Sequence, residues 1–193
     1  MCDDNCIIWG LENISIDEIM SKRILEVGSL DVNGTLRYGI QRMKPLEYIG
    51  IDIEEGRGVD IICKAENLVE KFGEESFDFV LSTCMLEHVQ DWKACISQIK
   101  RVCKKEGHIL IIVPSMYPYH EYPHDYWRFS KTDMIRIFGD CEIIKLEHDY
   151  EINENGLPFS LVYLKCKKPK FFKEVNLDSY GVYKMREVIE NVV

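Results

Sequence analysis

The chain has 193 residues, of which 46% are hydrophobic and 30% charged, with a formal net charge of −9. That length suits one domain with a sizeable core, and the acidic balance argues against a protein that coats DNA or RNA, because phosphate binding needs a basic surface. The longest apolar run, Ile109 to Val113, is too short to cross a membrane. Eight cysteines with no CxxC pair and no basic, apolar leader read as reduced thiols of a cytoplasmic protein.

Residues 1–20 read as a preface in which Ser15 to Met20 makes a short helix. Arg23 to Val27 is a first strand, followed by a modest helix around Leu36 to Arg42 and a second strand, Tyr48 to Ile53. Gly56 and Gly58 mark a turn into a third strand, Val59 to Cys63, and Phe77 to Ser82 is a fourth. The clearest helix follows: Trp92, Cys95, Ile96, Ile99, Val102 and Cys103 recur at spacings of three and four, with Asp91 as cap and Gly107 beyond the end. A fifth strand, His108 to Val113, stops at Pro114, and a long loop runs to Phe129. Ser130 caps a helix holding Met134, Ile135 and Phe138. Glu142 to Leu146 and Phe159 to Cys166 come without a helix between them and predict an antiparallel hairpin at the sheet edge. Residues 170–193 read as an amphiphilic helix or arm, whose Phe171, Phe172, Val188, Ile189, Val192 and Val193 could form a homodimer contact. The alternation predicts a single α/β domain over residues 1–193, a three-layer αβα sandwich around a mostly parallel sheet.

Three segments end in small or acidic residues: Ile24 to Gly34, Tyr48 to Ile53, and Phe77 to Val89. This is the pattern of parallel strands whose C-terminal ends line a nucleotide site. Gly28 permits a sharp turn and a close approach to the backbone, and Asp52 follows it at about the interval of roughly 20 residues expected for a ribose-binding acid. The full G-x-G-x-x-G is missing and no P-loop Gly-Lys-Ser/Thr follows, which disfavours a dinucleotide. Glu26, just before the turn, would repel a phosphate and suits a ligand carrying an amino group or sulfonium there.

Glu26-Val27-Gly28-Ser29, Asp52, and Leu86-Glu87-His88-Val89 with the Asp91-Trp92 helix resemble, in matching order, the motifs of class I S-adenosylmethionine-dependent methyltransferases of the small single-domain kind. The likeness spans roughly Ile24 to Cys166. Lys104 to Leu110 resembles the family's turn into strand five, and His120 to Phe129 a loop found in some members. The resemblance implies a Rossmann-like sheet with S-adenosyl-L-methionine as cofactor. Glu26 and the Gly28 and Ser29 backbone would hold the methionine end, and Asp52 would accept both ribose hydroxyls. Ile53 would pack on the adenine, Ala65 and Glu66 would edge it, and Cys84 would offer its backbone to the amino or carboxylate group. Leu30 and Val32 stand where further glycines are usual, and Lys64 where an acid often meets the adenine amine.

On the acceptor side, alignment of donor and acceptor supplies much of a methyl-transfer rate, and a hydroxyl or amine acceptor also needs a base. His88 is placed for that role, or to orient the following helix. The aromatic-rich loop from Tyr117 to Phe129 is expected to cover the acceptor through His120, His124 and Tyr126. Arg128 could hold a carboxylate or phosphate, or pair with Asp125, while Trp127 and Phe129 fill core. No metal is expected, since Pro123 interrupts the helix that would align His120 with His124. The expected function is methyl transfer to an oxygen or nitrogen of a small molecule, with no DNA or membrane partner. The alternatives are a protein or RNA acceptor, or a binding scaffold that has lost transfer.

Overall fold

The computed structural model describes residues 4–120, 124–152 and 158–185. Two helices come first, α1 (Asp4–Glu12) and α2 (Ile16–Ile19), then β1 (Arg23–Val27), α3 (Arg37–Arg42), β2 (Glu47–Asp52), β3 (Ile61–Ile62), α4 (Leu68–Phe72) and β4 (Phe77–Thr83). They are followed by α5 (Trp92–Val102), β5 (Cys103–Met116), β6 (Trp127–Arg128), α6 (Lys131–Ile137), β7 (Glu142–His148), β8 (Glu151–Ile152), β9 (Pro158–Lys167) and β10 (Tyr183–Lys184).

The main sheet runs β3-β2-β1-β4-β5-β9-β7, with β8 added to β9. The first five strands are parallel, and β9 is antiparallel to both β5 and β7. Alternate residues of the central strands feed two cores. Leu25, Val27, Val80, Ile109 and Ile111 face Leu68, Ile96, Ile99, Met134 and Ile137 of α4, α5 and α6. Ile24, Phe79, Leu81, Leu110 and Ile112 face Cys6, Ile19, Ile40 and their neighbours on α1, α2 and α3. The result is the expected αβα sandwich with a Rossmann-like, mostly parallel sheet and a terminal antiparallel pair.

The N-terminal segment is part of this body, which corrects its reading as a preface. Its first helix faces inward with Cys6 and Gly10, and a Cβ on Gly10 would overlap the Leu36 side chain. Ile7, Trp9 and Leu11 also pack on the second core, so the helix's apolar residues do not fall in one stripe. Strand β5 starts at Cys103 rather than His108, because the chain passes from α5 directly into the sheet with a bulge opposite Phe77–Phe79. Gly107 therefore accepts a sheet hydrogen bond from Lys168 at 2.9 Å and is not a helix cap. The third strand contracts to two residues.

Among the described residues the C-terminal segment forms no helix. Leu177, Tyr180 and Val182 pack on the first core, and β10 pairs antiparallel with β6. Val188, Ile189, Val192 and Val193, offered for a dimer contact, lie outside the described residues, as does the 153–156 loop.

Candidate active site

A cavity of about 450 Å³ opens where β1, β2 and β4 end. This is the switch point of the sheet, where the order reverses between β1 and β4 and the loops part to leave a crevice. Its floor is built from Glu26, Gly28, Ser29 and Leu30 after β1, Asp52 and Ile53 after β2, and Thr83, Cys84 and Met85 after β4. Lys64, Ala65 and Glu66 form one side; His88, His120, His124 and Tyr126 form the opposite end.

Gly28 has φ +80, and its amide and that of Ser29 both donate to the Ile51 carbonyl at 2.9 Å. A Cβ on Gly28 would overlap the Met85 side chain. The glycines missing at Leu30 and Val32 have a counterpart across the crevice. Gly58, at φ +91, lies so close to the Ser29 carbonyl that a Cβ would overlap it, and the Asp31 amide donates to the Arg57 carbonyl at 2.8 Å. The close approach is thus supplied by the loop after β2. The Ser29 hydroxyl oxygen is buried without a hydrogen-bond partner.

Glu26 is 2% exposed. It accepts from the Tyr48 hydroxyl at 2.7 Å and the Thr35 hydroxyl at 3.3 Å. Burial pushes its carboxyl up to about 7, against the pull of Tyr48, Arg37 and Thr35. Asp52 is half-buried, and its carboxylate takes the Leu30 amide at 3.1 Å and the Ile53 amide at 2.7 Å. A carboxylate has about four lone-pair sites, so further acceptor capacity faces the cavity. The Cys84 amide donates to the Ile112 carbonyl at 2.8 Å, so a backbone contact to a ligand amino group would fall to its carbonyl.

At the far end, the loop after β5 is pinned to the turn after β4. The Tyr126 amide donates to the Glu87 carbonyl at 2.8 Å, and the Trp127 indole to the Val89 carbonyl at 2.7 Å. The His88 and His120 rings meet edge to face at 5.1 Å, and His124 lies 5.4 Å from Tyr126. His88 Nδ1 is 2.5 Å from the His124 carbonyl oxygen. A carbonyl only accepts, so Nδ1 carries the proton and Nε2 the lone pair.

Of the residues expected at the acceptor, His88, His120, His124 and Tyr126 come together in one cavity; Arg128 does not. The Arg128 side chain is 4% exposed and bonds both Asp125 oxygens and the Tyr117, Pro118 and Trp127 carbonyls. Its fork is saturated by its own loop, so it holds the loop rather than a substrate. Burial pushes the Asp125 carboxyl up, but Arg128 and His120 outweigh it and hold that carboxyl well below its ordinary value. Phe129 is fully buried and Trp127 packs against the first core. Sequence reasoning missed Asn33, Thr83, Met85 and Gln90, which also line the cavity. Their only signal is position beside a strand end.

Residues 25–111 match a family described as a methyltransferase domain. That stretch takes in the ends of β1, β2 and β4, which line the cavity. The chain is similar to an uncharacterized protein of Methanocaldococcus jannaschii, 37% identical over 119 residues, 56% of this chain and 53% of that one. The chain thus spans about half the length of that curated relative. A candidate methyltransferase of Bacillus halodurans shares the fold at 14% identity, with a TM-score of 0.66 over 86% of this chain and 99% of that one. The 1,6-didemethyltoxoflavin-N1-methyltransferase of Burkholderia thailandensis, solved with 1,6-didemethyltoxoflavin and S-adenosylhomocysteine, follows at 13% identity and a TM-score of 0.63, over 78% of this chain and 72% of that one.

Proposed function

We propose that the protein transfers the methyl group of S-adenosylmethionine to an oxygen or nitrogen of a small-molecule acceptor. The observation that carries this reading is a single cavity that joins Glu26, Ser29 and Asp52 at the strand ends to His88, His120, His124 and Tyr126. A cofactor and an acceptor can meet end to end within it.

The residues fit the cofactor on two counts. Glu26 is a buried carboxylate whose charge lacks a full counter-ion, and the cofactor's ammonium provides one. The Ser29 hydroxyl is a buried polar group with no partner among the described residues. Glu26, the Gly28–Ser29 turn and Asp52 would hold the cofactor, with Ile53, Ala65 and Glu66 beside the adenine. Bound there, S-adenosylmethionine supplies an electrophilic methyl on a sulfonium.

The chain itself contributes position and a base. Aromatic and imidazole rings at the acceptor end exclude water and orient a planar or amphipathic acceptor. With Nδ1 held by the His124 carbonyl, His88 Nε2, 3.7 Å from Glu87 Oε1, is the nitrogen left to accept the acceptor's proton.

Calorimetric titration with S-adenosylmethionine and S-adenosylhomocysteine, with NAD as control, tests the reading. Micromolar binding of the first two alone supports it and opens an acceptor screen. Absence of binding would leave a methyltransferase fold without its cofactor and bring the scaffold alternative forward.

A further inference from the structure

Glu87 lies on the short turn Leu86–His88 between β4 and α5 and is 1% exposed. A buried carboxylate needs partners on both oxygens, yet its Oε2 has none among the described residues. Its neighbour His88 holds Nδ1 against the His124 carbonyl, so its Nε2 lone pair points away, 3.7 Å from Glu87 Oε1. His120 is arranged in the same way. Its Nδ1 faces the Pro118 carbonyl at 3.1 Å and Asp125 Oδ2 at 3.2 Å, both acceptors, so the proton sits on Nδ1. Its Nε2 is buried without a partner among the described residues. One ligand atom each from Glu87, His88 and His120 lies within 4.8 Å of the others.

We propose that Glu87, His88 and His120 bind a divalent first-row transition ion at the acceptor end of the cavity. Two imidazoles and one carboxylate form a donor set suited to zinc or iron. In both histidines the remote nitrogen donates to an oxygen acceptor, and in His120 that acceptor is a carboxylate. This is how metal-ligating histidines are fixed in tautomer and direction. The tripod fills only three positions, and His88 and His120 line the cavity, so the open positions face the acceptor. The unpartnered Glu87 oxygen and the unpartnered His120 nitrogen are the observations that set this cluster apart from an ordinary polar patch. Zinc bonds to such donors are about 2 Å long, so the three side chains would close on the ion from their present separation.

The inference rests on the methyl-transfer reading for its purpose. A hydroxyl or amine bound to the ion as to a Lewis acid gives up its proton to water more readily. His88 then acts as a ligand, and the ion takes over the activation that His88 alone would provide as a base.

The test uses the full chain, stripped with chelator. Zinc is titrated in competition with a chromophoric chelator, and cobalt is followed by its d–d absorption. One ion per chain is expected, with a tetrahedral or five-coordinate cobalt spectrum and no thiolate charge-transfer band. Glu87→Gln and His120→Asn should each weaken zinc by more than roughly 100-fold, since even a group behind a ligand is worth about 10- to 100-fold. His124→Ala, which removes a ring but keeps the carbonyl that orients His88, should leave zinc affinity unchanged. S-adenosylhomocysteine titration of the same samples reports folding and tests the methyl-transfer reading separately. Retained S-adenosylhomocysteine binding with sub-stoichiometric zinc, a thiolate band, or equal zinc affinity in both ligand variants would overturn the metal site alone. Should Glu87→Gln fail to fold, His120→Asn and the cobalt spectrum still decide.

Discussion

Glu26 is held between two protonation states, and a cationic ligand decides between them. Its folded value of about 7 stands above the ordinary 4.5, so the folded protein without ligand holds this proton more tightly than the unfolded chain does. The stability it contributes is full below pH 4.5 and is lost as pH rises through about 7. A ligand ammonium prefers the ionised carboxylate. S-adenosylhomocysteine affinity should therefore rise with pH through about 7, and Glu26→Gln should flatten that rise in a pH-resolved titration. Asp52→Ala should weaken the same ligand about 10- to 100-fold, because hydrogen bonds to charged groups contribute about 1.5–3 kcal/mol. Unchanged affinity in a folded variant would remove Asp52 from the ribose role.

At the scale of elements, two loops shape the cavity, and each depends on one exacting contact. The loop after β2 reaches the turn after β1 through Gly58, whose φ of +91 excludes most side chains. Gly58→Ala should cost about 1–3 kcal/mol by denaturant unfolding and weaken cofactor binding by moving Ser29. The loop after β5 depends on the buried Asp125–Arg128 pair, at 0% and 4% side-chain exposure. Arg128→Met removes the main counter-ion of the buried Asp125 and should lower stability by about 3–5 kcal/mol. What could be read in sequence follows the same division. Strands β1, β2 and β4 and helix α5 were legible because apolar runs and a 3.6-residue stripe carry their burial. The histidines and Tyr126 of the loop stood out by density. Helix α1 did not, because its apolar residues Ile7, Ile8, Trp9 and Leu11 are spread around it rather than gathered in one stripe. Nor did the β6–β10 pairing, which joins residues far apart in the chain through backbone groups alone. Glu87 read as one letter of a motif; only the fold brings His120 from the next loop to stand beside it.

At the scale of the whole molecule, the two cores share the same central strands, so neither face of the sheet can form without the other's helices. Strand β5 lies in the middle of that arrangement, yet one of its two neighbours is β9. A growing chain completes β5 at Met116, with Ile109 to Val113 at its centre, and makes its partner only on reaching Lys167. Until then a long apolar edge has open amides and carbonyls, the condition that invites pairing with another chain. A version ending at residue 150 should scatter light and co-sediment under conditions where the full chain stays dispersed. During synthesis, the interval between those two residues is when the nascent protein is most exposed to its own copies, and a pause there would favour entanglement between neighbouring ribosomes.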